Sequence, residues 1–170
     1  IGYPVANIED NIPLLIGSIM GNIMSMPYLK LLDIDFPKKY VDKFQGPKFG
    51  IQGIRDILGA YDRPLLNNMI KPCTGYTPDV GAKLFFEAAA GGVDVIKDDE
   101  LIGGDRSFNK LADRVKANMD AAHRAEEVKG EKTLYACNIT DEISRLKDNA
   151  MTVIENGGNC IMLDVHGVGY

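Results

Sequence analysis

Gly91-Gly92-Val93-Asp94-Val95-Ile96-Lys97-Asp98-Asp99-Glu100 runs from a glycine pair through an apolar segment into one lysine and three carboxylates. Val93, Val95 and Ile96 are β-branched and bounded by turn residues, the pattern of a buried parallel strand. The charged end is then the strand's C-terminal end, where α/β folds place their chemistry. Side chains alternate along a strand, so Lys97 and Asp99 are expected on one side and Asp98 on the other, with Glu100 opening the next loop. Charged residues are mostly exposed, so a solvated charge cluster is one reading of this run. The other is a hard-cation site. Mg²⁺ takes oxygen ligands in octahedral geometry, and a lysine becomes an oxygen ligand when it reacts with carbon dioxide to give a carbamate.

Outward from this strand the chain alternates. Residues 68–73 read as a strand, and a helix follows with Thr77 as N-cap and Pro78 at its first position. Val80, Leu84 and Ala88, flanked by Phe85 and Ala89, form its expected apolar face. Gly91-Gly92 ends that helix. Beyond Glu100 a long helix opens near Ser107, with Leu111, Val115, Met119 and Ala122 on its buried stripe. Residues 133–138 are the third strand. A helix over about 141–155 follows, with Ile143, Leu146, Ala150 and Val153 inward. Gly157-Gly158 closes it, and residues 159–165 are the fourth strand. Four strands separated by three helices predict right-handed parallel βαβ units. The pattern allows either an open doubly wound sheet or part of a (β/α)8 barrel. Residues 1–62 alternate less cleanly. Residues 12–18 and 29–36 read as short strands, the second ended by Pro37. Gly46-Pro47 and Gly50 mark turns, and residues 51–58 supply one or two helical turns.

Composition narrows the class. With 170 residues, 45% hydrophobic and 25% charged, the chain is ordinary for a globular protein. A net charge of −5 argues against a nucleic-acid surface, which usually carries a basic patch. No apolar run approaches the roughly 18 residues that span a bilayer, and no membrane partner is expected. Residues 1–10 lack a basic segment followed by a long apolar core, so no signal peptide is visible. The missing initiator methionine points to a fragment or a processed chain. Cys73, Cys137 and Cys160 are odd in number and lack Cys-x-x-Cys spacing, which fits a reducing, cytoplasmic setting. His123 and His166 are the only histidines, so a multi-histidine zinc site within the chain is excluded.

Several colinear motifs resemble one family. Lys97-Asp98-Asp99-Glu100 after Gly91-Gly92-Val93-Asp94 is similar to the metal-binding strand of the RuBisCO large-subunit superfamily. Arg63-Pro64-Leu65-Leu66 leading to Ile70-Lys71-Pro72 resembles its first barrel strand. Phe44-Gln45-Gly46-Pro47, Gly50-Ile51-Gln52 and Arg55-Asp56 resemble the segment before the barrel. Gly21-Asn22 resembles the end of the N-terminal domain, and Ile1-Gly2-Tyr3-Pro4 also fits. The resemblance selects the barrel. Residues 63–170 then form the first half of a (β/α)8 TIM barrel, strands 1–4, at under half of the roughly 250 residues of a whole one. Residues 1–62 are the end of an α+β N-terminal domain with its linker.

The resemblance also implies a site. Lys97, as a carbamate formed from carbon dioxide, binds Mg²⁺ together with Asp99 and Glu100. Lys71 stabilises enolate charge or moves protons; alone it would read as a lysine snorkelling at a strand end. Asn22 matches an asparagine that reaches across a dimer interface, although a turn residue after Gly21 explains it equally. Asn138, with Thr140, supports the metal ligands from behind. Asp164 resembles a family aspartate and, by period two, shares a strand face with His166, where a carboxylate can orient an imidazole. His166 matches no catalytic position and reads first as a loop histidine with structural hydrogen bonds. Where carboxylating members carry a second lysine, this chain has Cys73, which supplies no fixed cation. That departure points to the RuBisCO-like branch and to Mg²⁺-dependent enolisation or isomerisation of a sugar-phosphate carbonyl compound, of which a methylthio-pentulose phosphate is an example. Ribulose-bisphosphate carboxylation and a non-catalytic truncated or assembly protein remain as alternatives. The implied partners are a phosphorylated small-molecule substrate and a second copy of the chain in a homodimer or larger homo-oligomer, with no small subunit. Loops after strands 7 and 8 would hold the phosphate, so its ligands are expected outside these residues.

Overall fold

β1 (Asn67–Met69), β2 (Val95–Lys97), β3 (Leu134–Asn138) and β4 (Cys160–Met162) pair in parallel and in sequence order in a computed structural model that describes residues 1–21 and 24–169. Met69 pairs with Lys97, Lys97 with Ala136, and Asn138 with Met162. This order decides between the two solutions the pattern allowed. A doubly wound sheet reverses direction at a switch point, whereas a barrel adds each strand beside the last. Here all four strands grow one way. The fold is α/β, and its four strands correspond to the first part of a barrel.

β3 is buried throughout, β1 and β4 are partly exposed, and apolar side chains pack against both faces of the sheet. On one face Ile96, Tyr135 and Cys137 join Phe85 and Ala89 of α4 (Pro78–Ala90), Val115 and Met119 of α5 (Leu111–Lys129), and Val153 of α6 (Leu146–Glu155) in a single core. The Phe85 and Tyr135 rings meet edge-on at 5.5 Å. On the other face Val95, Leu134 and Cys160 pack with Leu58, Ile54 and Ile57 of α3 (Gly50–Leu58). Arg55 closes the turn after α3 by donating from Nη1 to the carbonyls of Ala60 at 2.7 Å and Arg63 at 3.0 Å.

The N-terminal ends of the strands are tied by one clasp. Arg63 donates to both oxygens of Asp94, each at 2.7 Å, and to Glu131 at 2.8 Å. Asp94 is fully buried and also accepts from the Leu66 amide at 2.8 Å. The Arg63 hydrogen bonds hold its carboxyl below the usual range despite burial. Asp94 carried no special reading in the sequence; it closes the end of the sheet opposite the charged cluster.

Several local expectations change. The strand ladders are shorter than the apolar runs that announced them. The buried face of α4 is Gly81, Ala82, Phe85 and Ala89, while Val80 and Leu84 are exposed. Small residues decide that rotation: the Tyr76 ring lies over Gly81, where a Cβ would come within 2.8 Å of it. α5 begins at Leu111 rather than near Ser107 because Asp105 accepts from the Leu111 amide at 2.8 Å after the tight Arg106–Asn109 turn. Ile143 is exposed in a short 3-10 turn before α6. His166 lies in the short helix α7 (Val165–Val168), after β4 has already ended at Met162, so the shared strand face proposed for Asp164 and His166 does not exist.

The chain divides into two compact units, Ile1–Gly50 in one and Ile51–Val168 in the other. In the first, residues 12–18 are not a strand. They belong to helix α1 (Ile12–Met20), because Asn11 Oδ1 caps the Leu14 amide at 2.9 Å and Pro13 sits in the first turn, where its missing N–H costs nothing. Leu15 and Ile19 pack with Ile8 and with Tyr40 of α2 (Lys38–Val41) beside a cavity of about 660 Å³. Residues 29–36 form no ladder either, and Leu32 is largely exposed. Among the described residues no helix is long and apolar enough to cross a membrane.

Candidate functional site

The C-terminal ends of the strands gather the charged residues. Lys97 is the last residue of β2 and lies on the face of Val95, while Asp98 follows Ile96 towards the helices. Lys71 stands just past β1, at a cis Lys71–Pro72 bond. Two ion pairs form here. Lys71 Nζ donates to Asp99 Oδ2 at 2.6 Å, and Lys97 Nζ donates to Glu100 Oε1 at 2.8 Å. Lys71 Nζ also reaches Cys73 Sγ at 3.1 Å.

These contacts set the charges. The Lys71 hydrogen bond holds the nearly buried Asp99 carboxyl below its usual range, with the Leu101 amide at 3.0 Å on its other oxygen. The Asp99 hydrogen bond in turn holds the Lys71 ammonium above its ordinary value. The Lys97 hydrogen bond lowers Glu100, while the neighbouring Asp99 charge opposes that shift. Both carboxylates are therefore ionised, each facing a lysine.

Beneath them lies a buried polar network that sequence reasoning missed. The fully buried Asp98 accepts from Arg114 Nε at 3.1 Å, from the Tyr135 hydroxyl at 2.8 and 2.9 Å on its two oxygens, and from the Asn138 amide at 3.0 Å. Burial pushes the Asp98 carboxyl up, and Arg114 opposes that shift most. Burial works against the Arg114 charge, but Asp98 and Tyr135 more than restore it. Desolvation also pushes the Cys137 thiol up to about 12. Two signals could have found the pair. Arg114 interrupts the apolar stripe between Leu111 and Val115, and Asp98 points where only a buried partner can satisfy it.

The remaining expected residues separate into groups. Asn138 is buried at the end of β3, and its Nδ2 donates to the carbonyls of Asp99 at 3.2 Å and Glu100 at 3.3 Å. Its Oδ1 accepts from the Thr140 amide at 3.0 Å, and Thr140 Oγ1 accepts from the Asp164 amide at 2.9 Å. Asp164 Oδ1 accepts from the His166 amide at 3.0 Å, which caps α7. The contact of Asp164 is thus with the backbone of His166, which is exposed. Asn22 lies outside the described residues.

The donor set can be tested for a metal. Among the described residues no group of three or more His, Cys, Asp or Glu side chains could hold one. Asp99 and Glu100 supply two hard carboxylates, and Lys97 touches one of them. A lysine ammonium has no lone pair to give. Carbamylation of Lys97 would replace that cation with a third oxygen donor, and an all-oxygen set fits Mg²⁺ with waters in its remaining positions.

The chain is similar to known proteins in sequence and in fold. A family model described as ribulose bisphosphate carboxylase large chain, catalytic domain, matches residues 50–170. A ribulose bisphosphate carboxylase-like protein of Archaeoglobus fulgidus is 51% identical over 170 residues, covering 100% of this chain and 39% of that protein. A solved rubisco-like protein (MtnW) from Alicyclobacillus acidocaldarius is similar with a TM-score of 0.84 and 35% identity, over 96% of this chain and 41% of that one. A dimeric archaeal Rubisco from Hyperthermus butylicus also gives a TM-score of 0.84, with 38% identity over 95% of this chain and 39% of that one. The chain spans about two fifths of the length of these relatives. It belongs to the ribulose bisphosphate carboxylase large-chain family and is similar to that family's RuBisCO-like proteins.

Proposed function

We propose that the full-length protein carrying this chain is a Mg²⁺-dependent RuBisCO-like enzyme that enolises or isomerises a phosphorylated sugar carbonyl compound, a methylthio-pentulose phosphate being one such substrate. The observation that carries this reading is the pairing of Lys71 with Asp99 and of Lys97 with Glu100 at one end of the sheet, with Cys73 two residues beyond Lys71. Asp99, Glu100 and a carbamate on Lys97 would hold the metal. When bound, Mg²⁺ supplies Lewis-acid polarisation of a carbonyl oxygen. Lys71 keeps its proton at Nζ while it is bonded to Asp99, so it acts as a cation or proton donor beside charge developing on a substrate oxygen. To act as a base it must first leave Asp99 and lose that proton. Asn138 holds the backbone of both acids, and Asp164 shapes the loop after β4. Asn22 would complete the site from a second copy in a homodimer, and the three free cysteines suit a cytoplasmic setting.

The test uses full-length protein and a phosphorylated ketose in deuterated buffer. Mg²⁺-dependent deuterium uptake next to the carbonyl, strengthened by bicarbonate and lost in Lys97→Ala, is the expected result. Carboxylation of ribulose bisphosphate at about 1 per second or more would favour the second reading, which the likeness to the Hyperthermus butylicus Rubisco supports and Cys73 opposes. Neither activity, with Mg²⁺ affinity unchanged in Lys97→Ala, would remove the metal role altogether.

A further inference from the structure

We propose that Arg114 is a positioning residue that fixes the direction of Asp99 and Glu100 from beneath, through Asp98 and Asn138; this rests on the proposed role of those two acids as metal ligands. Strand alternation gives the chain a problem at this point. To present Lys97 and Asp99 on one side of β2, it must send the Asp98 carboxylate into the helix-facing core. A buried carboxylate is tolerated there only if donors surround it.

Arg114 gives Asp98 a single donor, Nε at 3.1 Å, and turns its other two nitrogens to neighbouring groups. It lies in the first turns of α5 with almost no exposure. Nη1 donates to Asn109 O at 3.3 Å and to Asn109 Oδ1 at 3.1 Å. Nη2 donates to Gly104 O at 3.3 Å and Asn138 O at 3.2 Å. One planar guanidinium therefore holds the loop 98–110 in three places, at Asp98, Gly104 and Asn109, and the end of β3 in a fourth. Asn109 passes the link on, donating from Nδ2 to the Tyr76 carbonyl in the loop after β1 at 3.0 Å.

The path to the acids is short. Asp98 and Arg114 hold the Asn138 backbone on its amide and carbonyl sides, and the Asn138 side chain holds the carbonyls of Asp99 and Glu100. Lys71 and the Leu101 amide hold the two oxygens of Asp99, Lys97 holds Glu100, and Lys71 is more than half exposed. The buried pair therefore anchors, from below, the backbone that carries both carboxylates. Partners behind the ligands of metal sites commonly govern affinity about 10- to 100-fold.

Full-length protein in bicarbonate buffer is titrated with Mn²⁺ as the probe and read by electron paramagnetic resonance. Thermal unfolding is followed in parallel. Arg114→Lys keeps the charge but loses the planar fork, and Tyr135→Phe removes a single hydroxyl from Asp98. Arg63→Lys, in the clasp at the opposite end of the strands, controls for general loss of stability. We expect Mn²⁺ affinity to fall at least about tenfold in Arg114→Lys, to fall measurably in Tyr135→Phe, and to hold in Arg63→Lys even though its unfolding temperature drops. If Arg114→Lys does not fold, Tyr135→Phe against Arg63→Lys decides the matter. Unchanged affinity in the Arg114 and Tyr135 variants, or losses in all three that merely track stability, overturns the positioning role. Absence of Mn²⁺ binding in the unsubstituted protein overturns both this role and the metal reading beneath it.

Discussion

Asp98 and Asp42 are both paired carboxylates, but their surroundings give them very different weight. Asp98 and Arg114 are fully buried, so Asp98→Ala leaves a guanidinium in the core without its counter-charge, at a cost of about 3–5 kcal/mol. Asp42 meets Lys38 in the open, where solvent screens the pair and Asp42→Ala should cost little or nothing. Calorimetry on the two variants checks the contrast, and equal losses would contradict it. The pH response of Asp99 follows from its lowered value. A depressed carboxylate adds stability above the unfolded value of about 3.9 and loses it as pH falls through the folded one. Its partner Lys71 is raised, so its share is present below about 10.4 and is lost as pH climbs past the folded value. The stability gap between unsubstituted protein and Asp99→Asn should stay constant from about pH 6 to 9 and narrow progressively below about pH 4. Urea unfolding from about pH 9 to 2 measures it, and a gap that does not narrow at all below about pH 4 would refute the assignment.

The elements that packing dictates were legible in the sequence, and those that single hydrogen bonds or close approaches dictate were less so. β2, β3 and the long α5 could be read because each buries an apolar period against a large core. α1 was misread as a strand because residues 12–18 are apolar enough for either state, and the Asn11 cap with Pro13 tips the balance to helix. The start of α5 and the rotation of α4 depend on Asp105 and Gly81, neither of which carries a periodic signal. The gathering of Lys71, Lys97, Asp99 and Glu100 at the C-terminal strand ends could be read from their motif, whereas Arg114 carried no reading in the sequence. Two glycines test the same distinction. Gly17 lies inside α1 with open space around its Cβ position, so Gly17→Ala should stabilise by about 0.5–1 kcal/mol. A Cβ on Gly103 would collide with the Thr140 carbonyl, where the loop after β2 passes the loop after β3, and Gly103→Ala should cost about 1–3 kcal/mol. Thermal unfolding of both variants should move in opposite directions, and a shift of the same sign would refute the reading.

At the scale of the molecule, no further strand among the described residues pairs with the sheet beyond β1 on one side or β4 on the other. Ile161 and Leu163, in and just after β4, are more than a third exposed. Unpaired edges with apolar flanks promote association, and a closed barrel removes them. A polypeptide of residues 1–170 expressed alone should therefore associate or unfold without cooperativity. Sedimentation velocity with calorimetry tests this, and a monodisperse monomer with one sharp transition would contradict it. The clasp of Arg63, Asp94 and Glu131 has a consequence of its own. It closes the sheet at the end away from Lys71, Lys97 and Cys73, and it shares no hydrogen-bonding partner with them. Substitutions at sites without shared partners combine nearly additively. The residue at Cys73 can thus be exchanged while the stability that the clasp lends to the far end of the strands stays nearly unaltered.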